Sequence, residues 1–138
     1  MSDFQTVTCR FGQIEAPPES ILRVDQEPLL GFERLTEFVL VNLEEQRPFL
    51  WLQSMQDGSV AFPLLDPSHY FSGYTREVSQ AVGPDWQVLC MVGREGQQLG
   101  LNLLAPILIA PHSGKLRQHM IANRSWDVFH SFQMAAAC

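Results

Sequence analysis

The chain has 138 residues, with 15 acidic and 9 basic side chains and a formal net charge of −6. Hydrophobic residues make up 46%, which excludes a disordered chain and is enough for one packed core, so a single domain over residues 1–138 is expected. No apolar run is long enough to cross a membrane as a helix, and the acidic balance disfavours a general phosphate-binding surface, so neither membrane nor nucleic acid is an expected partner.

The start, Met1-Ser2-Asp3-Phe4, lacks the basic and apolar regions of a signal peptide, so a cytoplasmic location is expected. Phe4 to Phe11 alternates, with Gln5, Val7, Cys9 and Phe11 on one side and Thr6, Thr8 and Arg10 on the other. That pattern predicts a half-buried strand, ended or bulged at Gly12. Ala16-Pro17-Pro18 reads as a loop, and Ile21 to Val24 as another short strand. Asp25 to Gly31 is a turn region, followed by a tight turn over Gly31 to Leu35. Glu37 to Leu43 alternates with apolar residues on both faces, so this strand is covered twice. Glu44 to Arg47 is a polar loop.

The stretch Pro48 to Pro67 predicts a β-hairpin, with a buried helical turn as the competing reading. Phe49-Leu50-Trp51-Leu52 is its first strand and Ser59 to Phe62 its second. Asp57-Gly58 supplies a tight turn, because glycine accepts positive φ. Pro63 argues against a central position for the second strand beyond that point.

His69 to Tyr74 is an aromatic loop, and Tyr74 to Ser79 alternates as a strand. Gly83-Pro84-Asp85 turns the chain into a strand from Trp86 to Val92. Gly93 to Gly96 then forms a hairpin with Leu99 to Leu104. Pro106 lies within an apolar run and predicts a bend or bulge at Ala105-Pro106, with a second strand through Ile109. After a turn at Ser113-Gly114, Lys115 to Ile121 alternates, with Lys115, Arg117 and His119 outward and Leu116, Gln118 and Met120 opposite. A last strand is predicted from Trp126 to Phe129, and residues 131–138 read as a fraying tail. About seven to ten short strands predict an all-β fold: a small antiparallel β-barrel-like or strongly bent sheet, with one or two short helical turns.

Chemistry-bearing clusters are sparse. Cys9, Cys90 and Cys138 are far apart, which fits reduced thiols, and Cys9 and Cys90 sit in apolar strand patterns and read as small core hydrophobes. His69, His112, His119 and His130 show no metal-ligand spacing. A small β-barrel enzyme or small-ligand binder using Cys90 or the histidines remains an alternative. Single-stranded nucleic-acid binding on barrel aromatics is a third reading. The pairs Glu44-Glu45, Asp25 with Glu27, and Glu33 with Glu37 lie beside turns and read as a solvated rim. No phosphate-cradling or nucleophile-elbow motif occurs, so no cofactor is expected. Phe32, Tyr70, Phe71 and Tyr74, at loop positions, offer material for a docking groove.

Several stretches occur in the order found in one known family. They are Phe11-Gly12-Gln13-Ile14, Pro28 to Glu33 (PLLGFE), Pro48 to Ser54 (PFLWLQS), Phe62 with Asp66-Pro67, and Asn102 to Ile107 (NLLAPI). Gly114-Lys115 with Gln118 and Ile121 is similar to the segment that follows. Together they resemble the FliW family of flagellar assembly factors, from about Phe11 to His130. The resemblance implies a small β-barrel-like fold, no enzymatic activity, and a protein that binds flagellin in the cytoplasm. It also implies binding of CsrA, a small translational repressor, in competition with flagellin, so that flagellin level sets flagellin translation. The candidate contact residues on the matching motifs are Phe32, Glu33, Gln53, Ser54, Asn102 and Pro106. For Gln53 and Asn102, satisfaction of backbone groups at strand ends is an equal alternative. A monomer is expected.

Overall fold

In the computed structural model, which describes residues 3–134, the first two strands form a hairpin of their own. β1 (Gln5–Cys9) pairs antiparallel with β2 (Gly12–Ala16) through a turn at Arg10 and Phe11, and Gly12 takes up the pairing at φ +93°. The alternation in β1 is as predicted, with Val7 buried, but Gly12 opens a second strand rather than merely ending the first. A 3-10 turn at Pro18–Ser20 leads into β3 (Leu22–Val24).

The barrel follows. β4 (Glu37–Val41), β5 (Leu50–Ser54), β6 (Ala61–Leu65), β7 (Gln87–Glu95), β9 (Ile107–Ala110) and β10 (Lys115–Gln118) join β3 in a closed ring of seven strands. The order is β7-β6-β5-β4-β3-β10-β9, and β9 returns to β7. Every pairing is antiparallel except β10 with β3. β8 (Gln98–Leu101) extends β7 beyond the ring, and β11 (His130–Phe132) pairs with β8. The expected all-β barrel is therefore formed, with one parallel contact.

Closure explains which strands are apolar on both faces. From β4, Phe38 and Leu40 enter the barrel core, while Val39 and Val41 pack under the β1–β2 hairpin with Val7 and Ile21. Along β9, Ile107 and Ile109 enter the barrel core, and Leu108 enters a second cluster with Tyr74 and Val78. All four β9 residues are buried.

Four expectations need correction. Tyr74 to Ser79 is not a strand but part of a helix, α1 (Tyr74–Val82). Tyr74 and Val78, one helical turn apart, point inward together, and glycines at 73 and 83 bound the element with φ of +83° and +100°. The last strand lies at His130–Phe132 instead of Trp126 to Phe129, so the start of the expected fraying tail is paired; Ala135 to Cys138 lie outside the described residues. Pro63 lies in a strand flanked on both sides, yet β6 pairs with β7 only from Leu64 onward, so the missing N–H costs no ladder bond. The β5–β6 turn is a loop over residues 55–60, and Gly58 does not adopt a positive φ there. It is needed for space, because a Cβ at Gly58 would lie 2.0 Å from the Thr8 carbonyl oxygen.

Candidate protein-binding surface

The Asn102–Pro106 segment is where the barrel strand leaves its partner. β8 pairs with Val92 to Glu95 of β7, and β9 pairs with Gln87 to Leu89. Between them, five residues stand opposite Cys90 and Met91, so the chain must bulge, as Pro106 predicted. The Asn102 side-chain oxygen caps the bulge by accepting from Ala105 N–H at 3.0 Å. Pro106 is buried, and its carbonyl accepts from His119 N–H at 3.0 Å. Tyr74 donates its hydroxyl to the Leu103 carbonyl at 2.6 Å.

Gln118 ties this bulge to the Leu29–Glu33 turn. Its Oε1 accepts from Leu30 N–H at 2.8 Å, and its Nε2 donates to the Ala105 carbonyl at 3.2 Å. The turn places Leu29 in the core and leaves Leu30 57% exposed. Phe32 is half-buried, edge-on to Phe62 with ring centroids 5.0 Å apart. Glu33 is exposed and accepts from Gly31 N–H.

Gln53 and Ser54 have no exposed surface. Gln53 Nε2 donates to the carbonyls of Ser54, Gly58 and Val60, and Ser54 Oγ accepts from Gln56 and Asp57 N–H. Asp57 Oδ1 accepts from Ser59 through both its amide and its hydroxyl, which holds the Asp57 carboxyl below its ordinary value. The loop is thus knit from within. Gln53 and Ser54 offer a partner no side-chain surface and Pro106 is buried, so the six candidates divide into half-buried Phe32 and exposed Glu33 at the turn and a supporting set. The two groups are neighbours all the same: Gln56 Oε1 accepts from Thr36 and Glu37 N–H, and Arg34 pairs with Asp57 at 3.9 Å.

The sequence reading missed an apolar trough beside α1. Two cavities of about 580 and 370 Å³ share Met120, Ile121 and Ala122. Leu104 and Trp126, with Arg124 and Asp127, line one end; Val78 and Ala81 line the other, more apolar end. β10 stops at Gln118, so Met120 leaves the inner face predicted for it and is 52% exposed. Glu77 Oε2 accepts from Asn123 Nδ2 at 3.0 Å and Trp126 Nε1 at 2.8 Å, which holds the trough walls in place. The missed signal is Met120-Ile121-Ala122, apolar residues that continue past the end of a strand.

The residues considered for chemistry are separately engaged. Cys90 is fully buried, and burial pushes its thiol up to about 12, so it is not a thiolate at neutral pH. Burial also raises the Tyr74 phenol. Cys9, expected in the core, is only half-buried at the end of β1. His119 Nδ1 lies 3.0 Å from the Glu27 carboxylate, His130 Nε2 faces Asp127 N–H, His69 stands edge-on to Tyr70, and His112 is exposed. Among the described residues, no group of three His, Cys, Asp or Glu could hold a metal ion, and no helix is long and apolar enough to cross a membrane.

The geometry defines a class: a closed β-barrel that directs its buried polar side chains at its own loops and carries an apolar trough outside. The profile of the FliW protein family matches residues 5–132, and the chain belongs to that family. It is 31% identical over 136 residues to flagellar assembly factor FliW of Syntrophotalea carbinolica, covering 91% of this chain and 96% of that one. It is 33% identical over 128 residues to flagellar assembly factor FliW of Caldicellulosiruptor bescii, covering 86% and 83%. A crystal structure of the flagellar assembly factor FliW matches with a TM-score of 0.76 at 29% identity, covering 91% of this chain and 95% of that one.

Proposed function

We propose that this chain acts as one non-enzymatic domain in the cytoplasm, a flagellar assembly factor that binds flagellin and antagonises CsrA, coupling flagellin level to its translation. The observation that carries this reading is the family match across residues 5–132. Two features of the surface support it. The trough around Met120 suits an apolar helical segment of flagellin, and a net charge of −6 suits a basic RNA-binding partner such as CsrA. Phe32 and Glu33, beside exposed Leu30, are the direct contacts proposed from the motif residues. Gln53, Ser54, Asn102 and Pro106 hold that surface in shape.

The test is retention of purified flagellin and of purified CsrA by the immobilised chain at micromolar concentration, with competition between them. Retention of neither removes the proposal. Retention of flagellin alone reduces it to a chaperone role. The chain is expected to run as a monomer in light scattering.

A further inference from the structure

We infer that residues 123–132 form a proton-sensitive latch over the trough, closed by the neutral His130 ring and loosened when that ring takes up a proton. The strap is tied at both sides of Asp127. Its carbonyl accepts from Leu103 and Leu104 N–H at 3.0 and 3.1 Å, and its own N–H donates to His130 Nε2 at 2.6 Å. A backbone N–H only donates, so Nε2 must present a lone pair and the ring proton must sit on Nδ1.

The ring is half-buried between two aromatic neighbours. It stands between Phe71, with centroids 6.0 Å apart at 83°, and Trp126, 5.6 Å away at 65°. Its backbone is paired in β11 opposite Leu101. Protonation at Nε2 therefore sets two donors against each other across a hydrogen-bond distance, and the Asp127 peptide must move. Asp127 and Trp126 both line the trough, so its width follows the state of His130.

Other anchors keep the opening local. Trp126 remains edge-on to Tyr74 at 5.1 Å and bonded to Glu77. Phe129 lies over paired Gly93 and Gly100, where a Cβ on Gly100 would sit 2.4 Å from its ring. The titratable groups on the surrounding elements are Tyr74, Arg76 and Glu77 on α1, Asp127 and Arg124 on the strap, and Asp66, His69 and Tyr70 before α1. The Asp127 carboxylate caps Val128 N–H, and Tyr70 packs on Phe132. β8 carries no charged residue, and the nearest charges on β7, Arg94 and Glu95, lie at its far end.

The experiment is nitrogen-15 spectroscopy of the imidazoles in the intact chain, followed by amide exchange at pH 7.5 and pH 5. The Nδ1–H tautomer is expected for His130 at pH 7.5; the Nε2–H tautomer would overturn the latch. After correction for intrinsic exchange, protection at Asp127 should fall about fivefold on acidification, the loss of roughly one hydrogen bond. In His130→Gln, whose amide oxygen accepts at both pH values, that fall should vanish. An equal fall in wild type and variant would overturn the proposal. If the variant does not fold, the wild-type tautomer alone decides.

Discussion

Gln118 Oε1 accepts from the backbone N–H of Leu30, 88 residues earlier, at 2.8 Å, and one buried amide thereby joins the exposed turn to the Asn102–Pro106 bulge. Replacing Gln118 by Ala strips both partners and leaves a peptide N–H and a carbonyl without their bonds. The expected loss is about 2–3 kcal/mol, read from the urea midpoint at unchanged slope. Gln118→Glu keeps an acceptor for Leu30 but sets a buried charged oxygen against the Ala105 carbonyl, so near neutral pH it should be at least as destabilising as Ala. A Gln118→Ala variant as stable as wild type would mean that the turn holds itself.

Two glycines should differ in their tolerance of a methyl group. At Gly58 the obstacle is the Thr8 carbonyl, which is backbone; at Gly100 it is the Phe129 ring, which can swing. Gly58→Ala should cost about 2–3 kcal/mol and free the β1–β2 hairpin, and Gly100→Ala about 1 kcal/mol. Thermal unfolding of the two variants ranks them, and the reverse order would contradict the packing described.

Thiol reactivity should separate the cysteines. At pH 8 in the native state, Cys9 should react with an alkylating reagent well before Cys90, because the Cys90 thiol is buried and pushed up to about 12 from its ordinary 9.0. The neutral thiol is the form the fold favours, so its contribution is complete below pH 9 and is lost as pH rises toward 12. Mass spectrometry of the labelled peptides gives the order.

Acid should weaken the fold from the opposite direction. A hydrogen bond from Arg117 holds the Asp25 carboxyl below its ordinary 3.8, and bonds from Ser59 do the same for Asp57. Such groups favour the native state above about pH 4, and that contribution disappears as pH falls through their lowered values. In Asp57→Asn, chemical denaturation between pH 5 and pH 2 should show a shallower decline than wild type.

Met120 offers a test of the trough that leaves the fold alone. The side chain is 52% exposed, so Met120→Asp should change stability by less than about 0.5 kcal/mol. If the trough receives flagellin, the same change should weaken that binding about tenfold or more in titration calorimetry. Unaltered affinity would move the contact elsewhere, with Phe32 and Leu30 next to be substituted.

Local patterns in the chain were enough for β1 and β10, because alternation has a period of two residues and reports burial directly, and for β4 and β5, because short runs apolar on both faces mark strands covered twice. They were enough for the bulge too, because Pro106 cannot extend a ladder. The helix at Tyr74–Val82 was misread because so short a segment satisfies both periods, and only the pocket that takes Tyr74 and Val78 together selects the helical one. The same holds for the candidate site. Gln53, Ser54 and Asn102 are polar letters in the sequence, and polarity alone reads equally as surface or as a buried cap. Closure of the barrel decided that Gln53 and Ser54 face their own loop, that Gln118 reaches Leu30, and that Met120 stays in the open. Each of those contacts, apart from the loop's own, joins segments far apart along the chain, and none exists until the strands have come together.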